Sequence, residues 1–81
     1  MLLFEVADFS LCLQLFTRLE RDWPARFVGR TESRFVAVDL DPASEPIGAL
    51  LESVARWAFE VGLPSVHYHV GEQMSVVFAA P

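Results

Sequence analysis

The sequence predicts an α+β fold: a two-layer sandwich of one sheet and two helices, in chain order β-α-β-β-α-β-β, forming a single domain over residues 1–81. Three observations lead there. Leu2, Phe4 and Val6 alternate with Leu3, Glu5 and Ala7 at the period of a strand. Ile47, Leu50, Leu51, Val54, Ala58 and Val61 recur at helical spacing. Late in the chain, two apolar runs over Ser65–Val70 and Gln73–Ala79 flank the turn Gly71-Glu72.

The first strand covers Leu2–Ala7 and has one fully apolar side. Asp8-Phe9-Ser10 leaves it, with Ser10 placed to cap a helix over Leu11–Asp22. Leu11, Cys12, Leu15, Phe16 and Leu19 share that helix's broad inner face, while Leu13 falls off it. Pro24 disfavours helix at Trp23 and ends the element. Phe27–Arg30 and Arg34–Leu40 then make two strands about the polar turn Thr31-Glu32-Ser33, a spacing short enough for a hairpin. Asp41-Pro42-Ala43-Ser44 breaks the pattern. Ser44 is the expected N-cap of the second helix, Glu45 and Pro46 suit its first turn, and Gly62 stands where a left-handed C-terminal glycine belongs. Phe59 points away from that helix's apolar stripe, and Trp57 borders it.

A βαββαβ chain with right-handed crossovers closes with strand order 4-1-3-2 and both helices on one face. A fifth strand beside strand four extends this to 5-4-1-3-2. The arrangement resembles the ferredoxin-like fold in architecture alone; no residue motif ties the chain to a family, and fold does not fix function.

Composition bounds the function. At 53% hydrophobic, the chain carries more apolar surface than a domain of this size hides easily, which points to a homodimer. The formal net charge is −5, and all six basic residues are arginines. Five of them lie in residues 18–34, a local excess of basic charge, while residues 35–81 hold only Arg56 against six acids. An acidic chain is a poor neutraliser of phosphates, so a nucleic-acid partner is not expected. The one cysteine, Cys12, lies among Leu11, Leu13, Leu15 and Phe16, where a small buried hydrophobe is expected rather than a catalytic thiol. No apolar run approaches the roughly 20 residues of a membrane span. The start Leu2-Leu3-Phe4 has no basic n-region, so neither a signal peptide nor a membrane partner is expected, and a cytoplasmic location is.

The candidate site rests on His67 and His69, the only histidines. Period-two spacing puts both on one strand face, with Tyr68 turned into the core. That face is the helix-free one, shared with Leu3, Glu5, Phe35, Ala37 and Asp39, and Glu5 lies on the neighbouring strand. Two imidazoles and a carboxylate are the ligand types of a zinc or non-haem iron site, so Glu5, His67 and His69 are the candidate metal ligands. Asp39 sits two strands away, roughly 10 Å at ordinary strand spacing, too far to join them. Asp39-Leu40-Asp41 runs into Pro42 and reads as a strand-ending turn. The glycines are scattered and form no phosphate loop, and no serine sits in a nucleophile elbow.

Three functions fit. The leading one is a small cytoplasmic, homodimeric interaction or regulatory module acting through a self-complementary sheet face, without enzymatic activity or cofactor. Off-stripe Leu13 and Phe59 and the lack of a catalytic motif support it, and a further protein partner is compatible with it. The alternative is a small enzyme or metal-binding protein using Glu5, His67 and His69. The third is a small-ligand sensor in a dimer cleft, for which only the architecture argues.

Overall fold

The computed structural model describes residues 1–29 and 34–81, so the turn expected at Thr31-Glu32-Ser33, with Arg30, lies outside the described residues. The elements are β1 (Leu2–Glu5), α1 (Phe9–Leu19), β2 (Ala25–Gly29), β3 (Arg34–Val38), α2 (Gly48–Val61), β4 (Ser65–Val70) and β5 (Gln73–Phe78). Among the described residues the four strand pairings are antiparallel, and the sheet order is β2-β3-β1-β4-β5, which reads 5-4-1-3-2 from the β5 edge. β1 is the middle strand, and β2 and β5 are the edges.

Register on β1 decides what each face carries. Leu2 lies opposite Val38 and Val70, and Phe4 opposite Val36 and Tyr68. Leu2, Phe4, Val36, Val38 and Val66 are therefore on one face, where they form a single buried cluster with Cys12, Leu15 and Leu19 of α1 and Leu50, Val54 and Ala58 of α2. Both helices thus cover the same face, and they also touch each other. Full burial of each of the large side chains contributes about 1.5–3 kcal/mol, which makes this one-sided core the main source of stability. Tyr68 packs at its margin with its ring 5.6 Å from that of Phe4.

The element ends differ from the sequence reading in instructive ways. Asp8, not Ser10, caps α1: its backbone is extended and its carboxylate accepts the Leu11 N–H at 3.0 Å. Asp and Ser cap about equally well, and a carboxylate gains further from the helix dipole, so the earlier of the two wins. The helix stops at Leu19, three residues before Asp22; the Asp22 and Trp23 N–H groups close one last turn on the Leu19 carbonyl, and Pro24 disfavours helix beyond it. Ser44 does not cap α2 either. Its hydroxyl donates to Asp41, whose carboxylate also accepts the Ala43 N–H, while Glu45 reaches back to the Asp41 N–H. These groups close a local turn and leave none for capping, so α2 begins only at Gly48 after Ile47 with no side-chain cap.

Its far end is as expected. Gly62 is left-handed (φ 80), its N–H bonds the Phe59 carbonyl, and the Leu63 N–H bonds the Ala58 carbonyl. This is the paired closure that a glycine at the residue after the helix permits. The strands shift by a residue or two. β2 starts at Ala25 and β3 stops at Val38, and β1 ends at Glu5 although the Val6 N–H still reaches the Arg34 carbonyl at 3.0 Å. β5 ends at Phe78, after which the Ala79 and Ala80 N–H groups bond Pro64 and Ala55. Among the described residues no helix is long and apolar enough to cross a membrane.

Cys12 is fully buried, and burial pushes its thiol up, partly offset by the Arg34 charge. Its contribution to stability is therefore whole below the pKa of the unfolded thiol and falls as pH rises above it, since only the unfolded chain then ionises freely. Replacing Cys12 with alanine should flatten the decline of the urea midpoint between about pH 8 and 10; an unchanged decline would contradict the burial. For the helix cap, Asp8→Ala should cost about 0.5–2 kcal/mol in urea unfolding. Ser10→Ala should leave that value within error, and the reverse ranking would reassign the cap.

Candidate functional site

The face of the sheet without helices is the candidate site. Strand alternation assigns its members: Leu3 and Glu5 on β1, Phe35 and Ala37 on β3, Arg26 and Val28 on β2. On the other side of β1 come His67 and His69 of β4, then Met74, Val76 and Phe78 of β5. Phe35 and Ala37 are buried without any helix above them. Arg26 crosses β3 to donate to the Met1 sulfur at 3.1 Å, and this span shelters Ala37. The His69 ring stands edge-on to Phe35 at 5.8 Å.

The three expected ligands do share this face. In register Glu5 lies opposite His67, yet the contact it makes is diagonal, with its Oε2 3.4 Å from His69 Nε2. Long side chains reach diagonal neighbours across an antiparallel pair easily. At 3.4 Å this is a loose hydrogen bond, formed when Nε2 carries the proton. His67 is exposed and has no part in it. Among the described residues no three His, Cys, Asp or Glu side chains are grouped so that they could hold one metal ion. Asp39 lies past the end of β3, and its N–H is spent on the Pro24 carbonyl. Asp41 is a turn organiser: the Ala43 N–H and then the Ser44 hydroxyl hold its carboxyl below the usual range.

The residues that most distinguish this face are on β5. Met74 is 60% exposed, Val76 37% and Phe78 73%, while Gln73 and Ser75, also exposed, alternate onto the helix side. A strand with one face toward solvent normally puts polar residues outward. Here the alternation is inverted at the sheet edge. The signal was present in the sequence as Gln73-Met74-Ser75-Val76, but it acquires a direction only once the β4–β5 register pairs His69 with Met74.

On the opposite side of the molecule Leu13 and Phe59 are exposed, as their off-stripe positions imply, whereas Trp57 is buried instead of bordering the stripe. No protein-family model matches the chain, and searches of curated proteins and of solved structures give no significant match.

Because Tyr68 packs on Phe4 while both imidazoles lie on the open side, Tyr68→Ala should cost about 3 kcal/mol, the low end for a large aromatic, given its half-buried position. His67→Gln should change the unfolding free energy little. Equal losses in the two variants would mean that the face assignment is wrong.

Proposed function

We propose that the protein is a small homodimeric interaction or regulatory module whose helix-free sheet face is covered by a second copy of the chain. The observation that carries this is the inverted alternation of β5, which turns Met74, Val76 and Phe78 outward at the sheet edge, next to the row of His67 and His69 on β4. Exposed apolar residues grouped along one strand in this way mark interaction sites. A second copy fits it better than a charged partner does. Within its strands the face carries one carboxylate, Glu5, and one guanidinium, Arg26, although the chain as a whole stands at −5. Two such faces meet across a two-fold without the repulsion that the rest of the surface would generate.

The Glu5–His69 contact has a place in this arrangement. An acid on an apolar interface is costly unless it is hydrogen-bonded, and the neighbouring imidazole supplies the donor. The strand order and one-sided helices support a ferredoxin-like architecture with an added edge strand, and the acidic balance argues against a nucleic-acid partner. A cytoplasmic location is part of the same proposal. The competing function, a metal or enzyme site at Glu5, His67 and His69, draws on the Glu5–His69 contact alone.

Sedimentation equilibrium should give twice the 9.1 kDa chain mass at high micromolar concentration. Phe78→Glu should yield a folded monomer. Losing a buried phenylalanine costs about 1.5–3 kcal/mol and is met twice across a two-fold, so the dissociation constant should rise by more than about a hundredfold. A wild-type monomer, or a dimer indifferent to Phe78→Glu, would overturn the proposal. Elemental analysis decides the competing site: stoichiometric zinc or iron that disappears in the His67→Ala/His69→Ala variant would establish it instead.

A further inference from the structure

The backbone of β5 carries a second feature, distinct from its side chains. The two-residue turn Gly71-Glu72, with Gly71 at φ 60, closes on a bonded Val70↔Gln73 pair. At the other end of the strand the Ala79 N–H bonds the Pro64 carbonyl, which sets the same phase. Bonded pairs alternate along an antiparallel ladder, so Gln73, Ser75 and Val77 spend their backbone groups on β4. Met74, Val76 and Phe78 therefore aim their N–H and C=O groups past the last strand of the sheet. Among the described residues no backbone bond from another element reaches them.

Native sheets protect such an edge with a charge, a proline, a bulge or a covering segment. Gln73–Phe78 contains no charged residue, no proline and no glycine. Five of its six residues are exposed, so neither layer overhangs the edge. The opposite edge strand, β2, carries Arg26. Past Phe78 the chain turns away, with the Ala80 N–H on the Ala55 carbonyl, and the pairing surface ends there.

The occupant that fits this edge is the same edge of another copy. About a two-fold axis at Val76, that residue faces itself, and Met74 of each copy faces Phe78 of the other. All three outward residues are then used, each pair exchanging two bonds, about six in all. Their side chains meet apolar to apolar on one face. Charge agrees. The chain stands at −5, but nothing from Gln73 to Pro81 is charged, and the Glu72 carboxylates fall at opposite ends of the contact. We propose that β5 pairs antiparallel with β5 of a second copy about Val76, joining two five-stranded sheets into one. This contact does not rest on the covered sheet face. Pairing in the plane of the sheet leaves both open faces on one side, free for the copies that cover them.

The test reads the edge amides themselves, by their exchange with water in ¹H–¹⁵N spectra of the full chain. One strand offers few contacts against the cost of association, so a dissociation constant of about 2 mM is expected. Between about 0.1 and 3 mM chain, exchange at Met74, Val76 and Phe78 should then slow about twofold, as unpaired edges become fewer. Gln73, Ser75 and Val77, already bonded to β4, should not change. Val76→Pro removes a donor that β4 does not use, and it should weaken pairing at least about tenfold and abolish the slowing at Met74 and Phe78. Val76→Lys keeps the donor but sets like charges face to face, and it should abolish the slowing too. Exchange at Met74, Val76 and Phe78 that is independent of concentration would overturn the proposal and leave the edge to a strand of another protein. Slowing that persists in both variants, or that Gln73, Ser75 and Val77 share equally, would also overturn it. The covered face is read separately, by the mass at high micromolar concentration, where few edges are paired, so either reading can fail without the other.

Discussion

The structure hangs on the register of one four-residue strand. β1 is paired on both sides, and Leu2 and Phe4 are fully buried between the sheet and the helices. Because side chains alternate, fixing Leu2 and Phe4 inward fixes Leu3 and Glu5 outward, and the pairings carry that choice to β3 and β4 and from them to the edges. A slip of one residue would put Glu5 under the helices, in a core that among the described residues buries no polar side chain, and would bring Leu2 and Phe4 into the open. The cost of that alternative gives so short a strand its authority over the whole sheet.

What could be read in advance follows the range of the interactions involved. Alternation in Leu2–Glu5 and the stripe through Leu50, Val54 and Ala58 are local patterns, and both gave their elements and inward faces directly. The left-handed Gly62 was legible because few other residues suit that backbone. The N-caps were not. Ser10 and Ser44 are good caps in isolation, but Asp8 stands earlier in one segment and Asp41 draws the Ser44 hydroxyl into its own turn in the other. Competition between neighbouring polar groups separated by a fraction of a kcal/mol cannot be settled from residue preference alone. The histidine strand was legible to the level of face and neighbour, since both need only period two and pairing order. The diagonal reach of Glu5 to His69, past His67, depends on side-chain torsions.

An open groove of about 520 Å³ between the outer sides of α1 and α2 was the least legible feature, for a physical reason. Its α1 wall repeats at three and four residues, like any solvated helix side, and Ser10, Gln14 and Thr17 are unremarkable there. What distinguishes it is Trp57, whose position at the edge of the α2 stripe gives no hint whether the indole N–H ends in water or is enclosed. That depends on how closely α1 and α2 approach, a tertiary distance set by the packing of Leu15, Leu19, Leu50 and Val54 beneath them.

The two surfaces sit on opposite layers, and this separation has a consequence for how they can be used together. A partner copy on the open sheet, as proposed, would touch β-strand side chains from Arg26 to Phe78, whereas the groove is formed by the outward sides of the helices. A molecule on one would leave the other accessible, so any link between them would travel through the shared core instead of through steric competition. The path available is short. Trp57 lies in the same buried cluster as Phe4 and Val66, which sit on the strands that carry Glu5 and the histidines on their other face. A shift of α2 would therefore press on the sheet from behind. Close packing transmits such displacements because the core has no slack to absorb them.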